Sequence, residues 1–175
     1  PTGTSTVAIS GTITLAAGGS YTAMAIGDGD NQPLGLKLLD DSTAAPTAGS
    51  GKLRVGHLAP FSSDIEATKV DICTDDGTAV LEGVEYPQVT DYLPLAAGTY
   101  DLLIALAGTD CASVALDLPA LLLSDGDIVD LFAIGLLPGD ASFPLQPAST
   151  TGFNLAPASL NLDRSIFLPV ITSGP

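Results

Sequence analysis

Residues 7–27 read VAISGTITLAAGGSYTAMAIG, and residues 114–135 read VALDLPALLLSDGDIVDLFAIG. Both open on Val-Ala, run through an apolar stretch into a Gly-containing turn, and close on Ala-Ile-Gly. Both then reach Pro-Leu, at Pro33-Leu34 and Pro144-Leu145. The second copy follows a long run of strand-like sequence from residue 52 onward. The first has almost nothing in front of it. A repeat whose first copy lacks its front half sets the question of what completes it.

Working outward from the repeat, the apolar residues alternate or fall in short blocks bounded by Gly, Pro, Asp and Ser, which is the pattern of strands and not of helices. Val7, Ile9, Ile13 and Leu15 alternate before Ala-Ala-Gly-Gly, predicting a strand there, followed by strands over 21–26 and 34–39. DDSTAAPTAGSG (40–51) is small and polar and reads as a linker. Beyond it, KLRVGHLA (52–59), TKVDIC (68–73), AVLEGV (79–84), YPQVTDYLPL (86–95) and TYDLLIAL (99–106) are expected strands. Others recur near 113–122, 127–134 and 142–147. Turn signals every 8–12 residues predict an all-β chain, an antiparallel immunoglobulin-like β-sandwich. The expected organisation is a half module over 1–41, a linker over 42–51, a complete module over 52–148 and a strand-like tail over 149–175.

Composition bounds the function. The chain has 175 residues, 46% of them apolar, with 20 acidic and 5 basic residues for a net charge of −15. That is ample for a packed core. It carries the wrong sign for a nucleic-acid binder, whose phosphate contacts come from Lys and Arg, and anionic membrane surfaces are disfavoured for the same reason. The charge instead keeps an apolar protein soluble and repels like neighbours. No stretch approaches the ~20 uninterrupted apolar residues of a spanning helix, so membrane insertion is not expected. Residue 1 is Pro with no signal-peptide pattern before it, so the chain reads as mature or as a fragment.

The two cysteines, Cys73 and Cys111, read as the disulfide of an exported protein, with two unrelated buried thiols as the alternative. Zinc is disfavoured, because there is one His and no close Cys pair. His57, that single histidine, sits on an apolar strand and is expected to be structural. Asp28, Asp30 and Asn31 place oxygen atoms at the spacing of a short calcium loop, although the further ligands of a full loop are missing. The plainer reading is an Asp/Gly turn. No catalytic Ser-His-Asp or Cys-His set can be assembled, and the absence of Trp weakens a sugar cleft. No enzyme activity or cofactor is expected beyond that calcium candidate.

The motifs LRVGHLAP (53–60) and KVDICTDDGTAVLEGVEYPQVTDYLPLAAGTYDLLI (69–104) resemble the bacterial secreted domain-of-unknown-function family 4397. The matching positions are Arg54, Val55, His57 and Pro60; Val70, Asp71, Asp76 and Gly77; and Thr90, Asp91, Tyr92, Leu95, Ala97, Gly98, Thr99 and Tyr100. The resemblance covers residues 52–148, whereas the N-terminal stretch is similar only to the family's C-terminal half. It implies a β-sandwich in exported or cell-surface proteins, often in tandem, with no known catalysis.

A half sandwich exposes strand edges and an apolar face that invite pairing. The tail, TGFNLAPASLNLDRSIFLPVI (151–171), alternates at Leu160 and Leu162 and again at Ile166, Leu168 and Val170, interrupted by Pro157 and Pro169. It could fill the gap within the chain or in a neighbouring copy. The expected function is a surface fibre subunit, a homopolymer assembled by strand complementation. The alternative is a cell-surface adhesin or a ligand- or carbohydrate-binding module of a longer tandem protein.

Overall fold

A computed structural model describes residues 8–41, 43–137 and 143–149; the tail residues Leu160, Leu162, Ile166, Leu168 and Val170 lie outside them. The described chain is built of strands, with one 3₁₀ turn at Glu66–Thr68. The first two strands, β1 (Tyr21–Ile26) and β2 (Gly35–Asp40), form an antiparallel hairpin with Tyr21 opposite Asp40 and Ile26 opposite Gly35. Ten more follow: β3 (Ser50–His57), β4 (Val70–Thr74), β5 (Ala79–Val84), β6 (Leu93–Ala96), β7 (Gly98–Tyr100), β8 (Leu102–Leu106), β9 (Val114–Asp117), β10 (Leu121–Leu123), β11 (Ile128–Ile134) and β12 (Gln146–Ala148).

Two four-stranded sheets, in the orders β12-β11-β3-β6 and β5-β4-β8-β9, face each other as a β-sandwich. Alternate residues of each strand point to one face. Leu53 and Val55 of β3 and Val129, Leu131 and Ala133 of β11 therefore meet Val70, Ile72, Leu102 and Ile104 of the opposite sheet. Packing is close. The gap between the sheets, lined in part by Val55, Ile72 and Leu131, holds about 10 Å³, the space of about one water-sized probe.

Several expected strands differ in detail. The 99–106 strand is two, β7 and β8, because the chain steps between sheets at Asp101. Its partner steps with it at Leu118-Pro119-Ala120, so that β8 pairs with β9 while β7 pairs with β10. Proline at 119 cannot donate to a ladder, and it sits where the partner strand breaks. The 86–95 stretch is largely irregular, with a cis Tyr86–Pro87 bond; only Leu93–Ala96 joins a sheet, and Val89 makes an isolated bridge to Gly56. The sandwich is also not wholly antiparallel: β3 runs parallel to β11, Ile128 opposite Lys52 through Ala133 opposite His57.

The largest departure is at the front. The alternation through Ile9, Ile13 and Leu15 predicts a strand, yet residues 9–16 have extended sequence and no strand. Alternation defines a face, but a strand also needs a partner backbone to hydrogen-bond. No partner for this segment lies among the described residues.

The repeat itself is reproduced in three dimensions. Counted back in step from Gly27 and Gly135, Gly18 matches Gly126, Met24 matches Phe132 and Ile26 matches Ile134. All four of these glycines have positive φ. A Cβ on Gly27 would collide with the Pro33 carbonyl, and one on Gly135 with the Pro144 carbonyl. The same Ala-Ile-Gly…Pro-Leu geometry thus closes the β1–β2 and β11–β12 hairpins, and only glycine fits it. The β1–β2 hairpin docks through its outer face, where Met24 and Leu39 pack on Leu58 and Phe132 with Ile26, Val89 and Ile134 around them. Matching positions of the two repeats therefore lie in one apolar cluster.

The expected disulfide is present: Cys73 at the end of β4 is bonded to Cys111, with Leu103 and Ala105 packed around it. It holds the Thr109–Ala112 turn, in which Asp110 and Cys111 both adopt positive φ. The bridge closes a loop of sequence separation 38. Replacing both cysteines by alanine is predicted to lower unfolding free energy by about 2–5 kcal/mol. Denaturant melts of the oxidised wild type and the double variant measure this; equal midpoints would show that the bridge does not stabilise the fold.

Candidate functional site

Arg54 is a buried basic residue in the middle of β3. It lies on β3 opposite Asp130 of β11, on the face turned away from the sandwich interior. Both are buried, at 3% and 1% exposure. Nε and Nη2 of Arg54 grip the two Asp130 oxygens at 2.9 and 2.7 Å, a two-pronged pairing that suits the planar guanidinium. Nη2 also reaches Asp41 Oδ1 at 2.5 Å, and Nη1 donates to the Asp40 carbonyl at 3.0 Å. Asp41 in turn accepts from the Thr22 hydroxyl of β1 at 2.7 Å. The guanidinium is thus shared between the sandwich and the end of the N-terminal hairpin. The Tyr92 ring covers it at 4.5 Å. Burial works against the charge on Arg54, but hydrogen bonds to Asp130 and Asp41 outweigh it and raise its pKa. Burial, then the Asp130 charge, push the Tyr92 phenol up to about 12, so it stays protonated.

Above this clamp lies a polar groove of about 380 Å³, bordered by Asp40, Thr43, Arg54, Thr90, Asp91 and Tyr92. Most of its donors and acceptors are engaged. Thr90 ties the irregular segment before β6 to β3 through Val55, whose N–H donates to the Thr90 hydroxyl at 3.0 Å and whose carbonyl accepts from the Thr90 N–H at 2.8 Å.

The other motif positions hold the fold together. His57 is buried, and its Nε2 donates to the Thr68 carbonyl at 2.8 Å, leaving Nδ1 toward the Ala59 N–H. Burial lowers its pKa, only partly offset by the Thr68 hydrogen bond. Asp71 accepts from the Gly83 and Gly108 N–H groups, linking β4 to β5 and to the turn after β8. Asp76 caps its own turn through Thr74 and Thr78. The Tyr100 hydroxyl donates to the Ala96 carbonyl at 2.7 Å.

The calcium candidates form such a turn as well. Asp28 Oδ1 accepts from the N–H groups of Asn31 and Gln32, both at 2.9 Å, and of Asp30 at 3.2 Å; Oδ2 accepts from the Asn31 amide at 2.8 Å. Burial pulls the Asp28 pKa upward, but these hydrogen bonds, led by that of Gln32, bring it below the usual value. Asn31 points a donor at the carboxylate, so these hydrogen bonds hold the loop as an Asp/Gly turn. Among the described residues no group of three His, Cys, Asp or Glu side chains gathers as a metal site.

What stands out is the inner face of the N-terminal hairpin. In the sandwich, Leu121 and Leu123 are 2% and 0% exposed, covered by the opposite sheet. Their matches in the first repeat, Ile13 and Leu15, are 43% and 52% exposed. Leu131 and Ala133 are buried, whereas Ala23 and Ala25, in the same places on β1, are exposed. Leu36, opposite Ala25 on β2, adds to the same open patch. The hairpin therefore presents the inner face of a sandwich with no second sheet upon it among the described residues.

A β-sandwich with a repeated closing hairpin is the class that the fold defines. The chain matches DUF4397, a domain of unknown function, over residues 1–68 and again over 61–162, and it belongs to that family. The first match takes in the hairpin and β3, although β3 pairs into the sandwich of the second. No curated protein matches the chain. No helix among the described residues is long and apolar enough to cross a membrane.

The Arg54 clamp was not foreseen from the sequence. A basic residue within an apolar strand of a chain with only five could have signalled it, since a buried cation needs a partner. Arg54→Met is predicted to cost about 3–5 kcal/mol, because it strands the buried Asp130 carboxylate. Arg54→Met with Asp130→Leu is predicted to cost less than Arg54→Met alone. Chemical denaturation of the variants checks the order, and additive losses would contradict it. The His57 imidazole is held neutral in the fold, so the unfolded chain binds its proton more readily. Stability is present above pH 6.5 and is lost as pH falls toward the lowered folded value, at up to about 1.4 kcal/mol per pH unit. His57→Gln is predicted to flatten that slope between pH 5.5 and 7; an unchanged slope would assign it to another group.

Proposed function

We propose that this protein is an extracellular structural subunit of a surface fibre, assembled by β-strand complementation between copies. The carrying observation is the contrast between Leu121 and Leu123, sealed in the sandwich, and Ile13 and Leu15, exposed on the segment that leads into the hairpin. An apolar sheet face of this kind is an interaction surface or an aggregation hazard. The acceptor is this face, and the donor is the alternating tail with Leu160, Leu162, Ile166, Leu168 and Val170. The contact joins one surface to a different one on the next copy, so its repetition yields a filament and not a closed dimer. Export is supported by the disulfide, which persists in oxidising surroundings. The net charge of −15 keeps lateral contacts between finished fibres repulsive.

A second reading, an adhesin or ligand-binding module within a longer tandem protein, is favoured by the polar groove over Arg54 and Tyr92. Calcium has no comparable support.

Size-exclusion chromatography and negative-stain microscopy of the full chain test the first reading. Concentration-dependent oligomers and fibres are expected, and Leu15→Glu with Leu36→Glu is predicted to leave a folded monomer, because both side chains are exposed. A wild type that stays monomeric on concentration contradicts the fibre. Glycan binding lost in Tyr92→Ala would instead support the module.

A further inference from the structure

We propose that residues 159–163 of a second copy dock on the free edge of β1 and run parallel to it, in the place that β3 takes on β11. The inference rests on the fibre reading and adds to it the donor segment, the edge and the direction.

The direction follows from the repeat. β1 and β11 share their closing turns, their positive-φ glycines and their outward residues Met24 and Phe132. On one edge each pairs antiparallel with the next strand, β2 or β12. The other edge of β11 is occupied by β3, in parallel register from Ile128–Lys52 to Ala133–His57. The corresponding edge of β1 pairs with no strand among the described residues. A strand that completes the first module as β3 completes the second is therefore parallel to β1.

The donor segment follows from where backbone donors point. In a parallel pair, alternate residues direct their N–H groups to opposite neighbours. On β3 the inward-facing residues turn theirs away from β11: the His57 N–H goes to the Gln88 carbonyl. Residues of the other parity serve the β11 side, as shown by Lys52 N–H to the Asp127 carbonyl and Leu58 N–H to the Ala133 carbonyl, both at 2.8 Å. A β3-like donor thus needs apolar residues at alternate positions with N–H-bearing residues between them. The stretch Ile166, Leu168, Val170 fails, because Pro169 lies between two inward positions and has no N–H to give. The stretch Leu160, Leu162 passes, because Ser159, Asn161 and Asp163 all carry one. Leu160 and Leu162 then face the open side with Ala23 and Ala25, where small residues leave room for leucine. The ten residues from Ser149 to Ser159 span up to about 33–36 Å when extended.

Cysteine pairs in the full chain read both direction and donor, the native cysteines being tied to each other. Ser159→Cys with Ser20→Cys is expected to give a ladder of disulfide-linked multimers on a non-reducing gel. Ser159→Cys with Ile26→Cys, on the same outer face as Ser20, is expected to give none, since the two acceptor positions lie about 20 Å apart along a strand. Asn161→Pro is expected to abolish the ladder and Phe167→Pro to preserve it. A ladder from the Ile26 pair alone overturns the parallel direction while leaving the fibre reading intact. A ladder that survives Asn161→Pro and is lost in Phe167→Pro overturns the donor segment. Cross-linking confined within single chains, or absent from both pairs, overturns the second copy as donor, and in the first case the fibre reading falls with it.

Discussion

The buried guanidinium of Arg54 is the constraint on which the arrangement depends. It sits where β3 meets β11 and spends its donors on Asp130 of the sandwich and on Asp41 and the Asp40 carbonyl at the end of the hairpin. A charge at this depth costs several kcal/mol unless it is paired in good geometry. The sandwich and the hairpin each supply part of that pairing, so the position of one fixes the position of the other. The apolar cluster of Met24, Leu39, Leu58 and Phe132 adds area to the same joint, but area has no direction. The ion pair with its covering Tyr92 gives the joint its register.

With the hairpin's outer face used in that joint, its inner face is left pointing outward. This is the reverse of what a free hairpin in water would do. Ile13 and Leu15 are exposed although their matches in the second repeat, Leu121 and Leu123, are core residues, and Leu36 of β2 is exposed with them. The structure thus separates two roles within one repeated motif. β11–β12 closes a finished sandwich, and β1–β2 offers the same surface unfinished.

Much of this was legible in the sequence. Alternating Val, Ile and Leu between Gly and Asp turns placed β5 at its observed limits and most other strands within a few residues. The Ala-Ile-Gly and Pro-Leu pairs marked both hairpins, because a glycine forced to positive φ against a carbonyl leaves a fixed signature. The cysteine pairing was legible for want of other candidates. What could not be read was tertiary. The parallel pairing of β3 with β11 joins segments more than seventy residues apart, and no local pattern encodes it. The split of 99–106 into β7 and β8 depends on the partner strand breaking at Pro119. The alternation at 9–15 predicted a strand because local pattern says nothing about whether a partner is present. Asp28 and Asn31 looked like ligands by spacing, but the direction of the Asn31 amide toward the carboxylate is visible only in three dimensions. Arg54 was read as a motif letter, while its burial between two carboxylates gives the letter its reason.

The central claim is that the open edge and inner face of the N-terminal hairpin are covered by strands from another copy. Hydrogen–deuterium exchange of the full chain, compared between dilute and concentrated protein, tests it most directly. The account predicts that amides of Tyr21–Ile26 gain protection on concentration while those of Ile128–Ile134 in β11, already paired on both edges, stay unchanged. Exchange at Tyr21–Ile26 that is independent of concentration would contradict it.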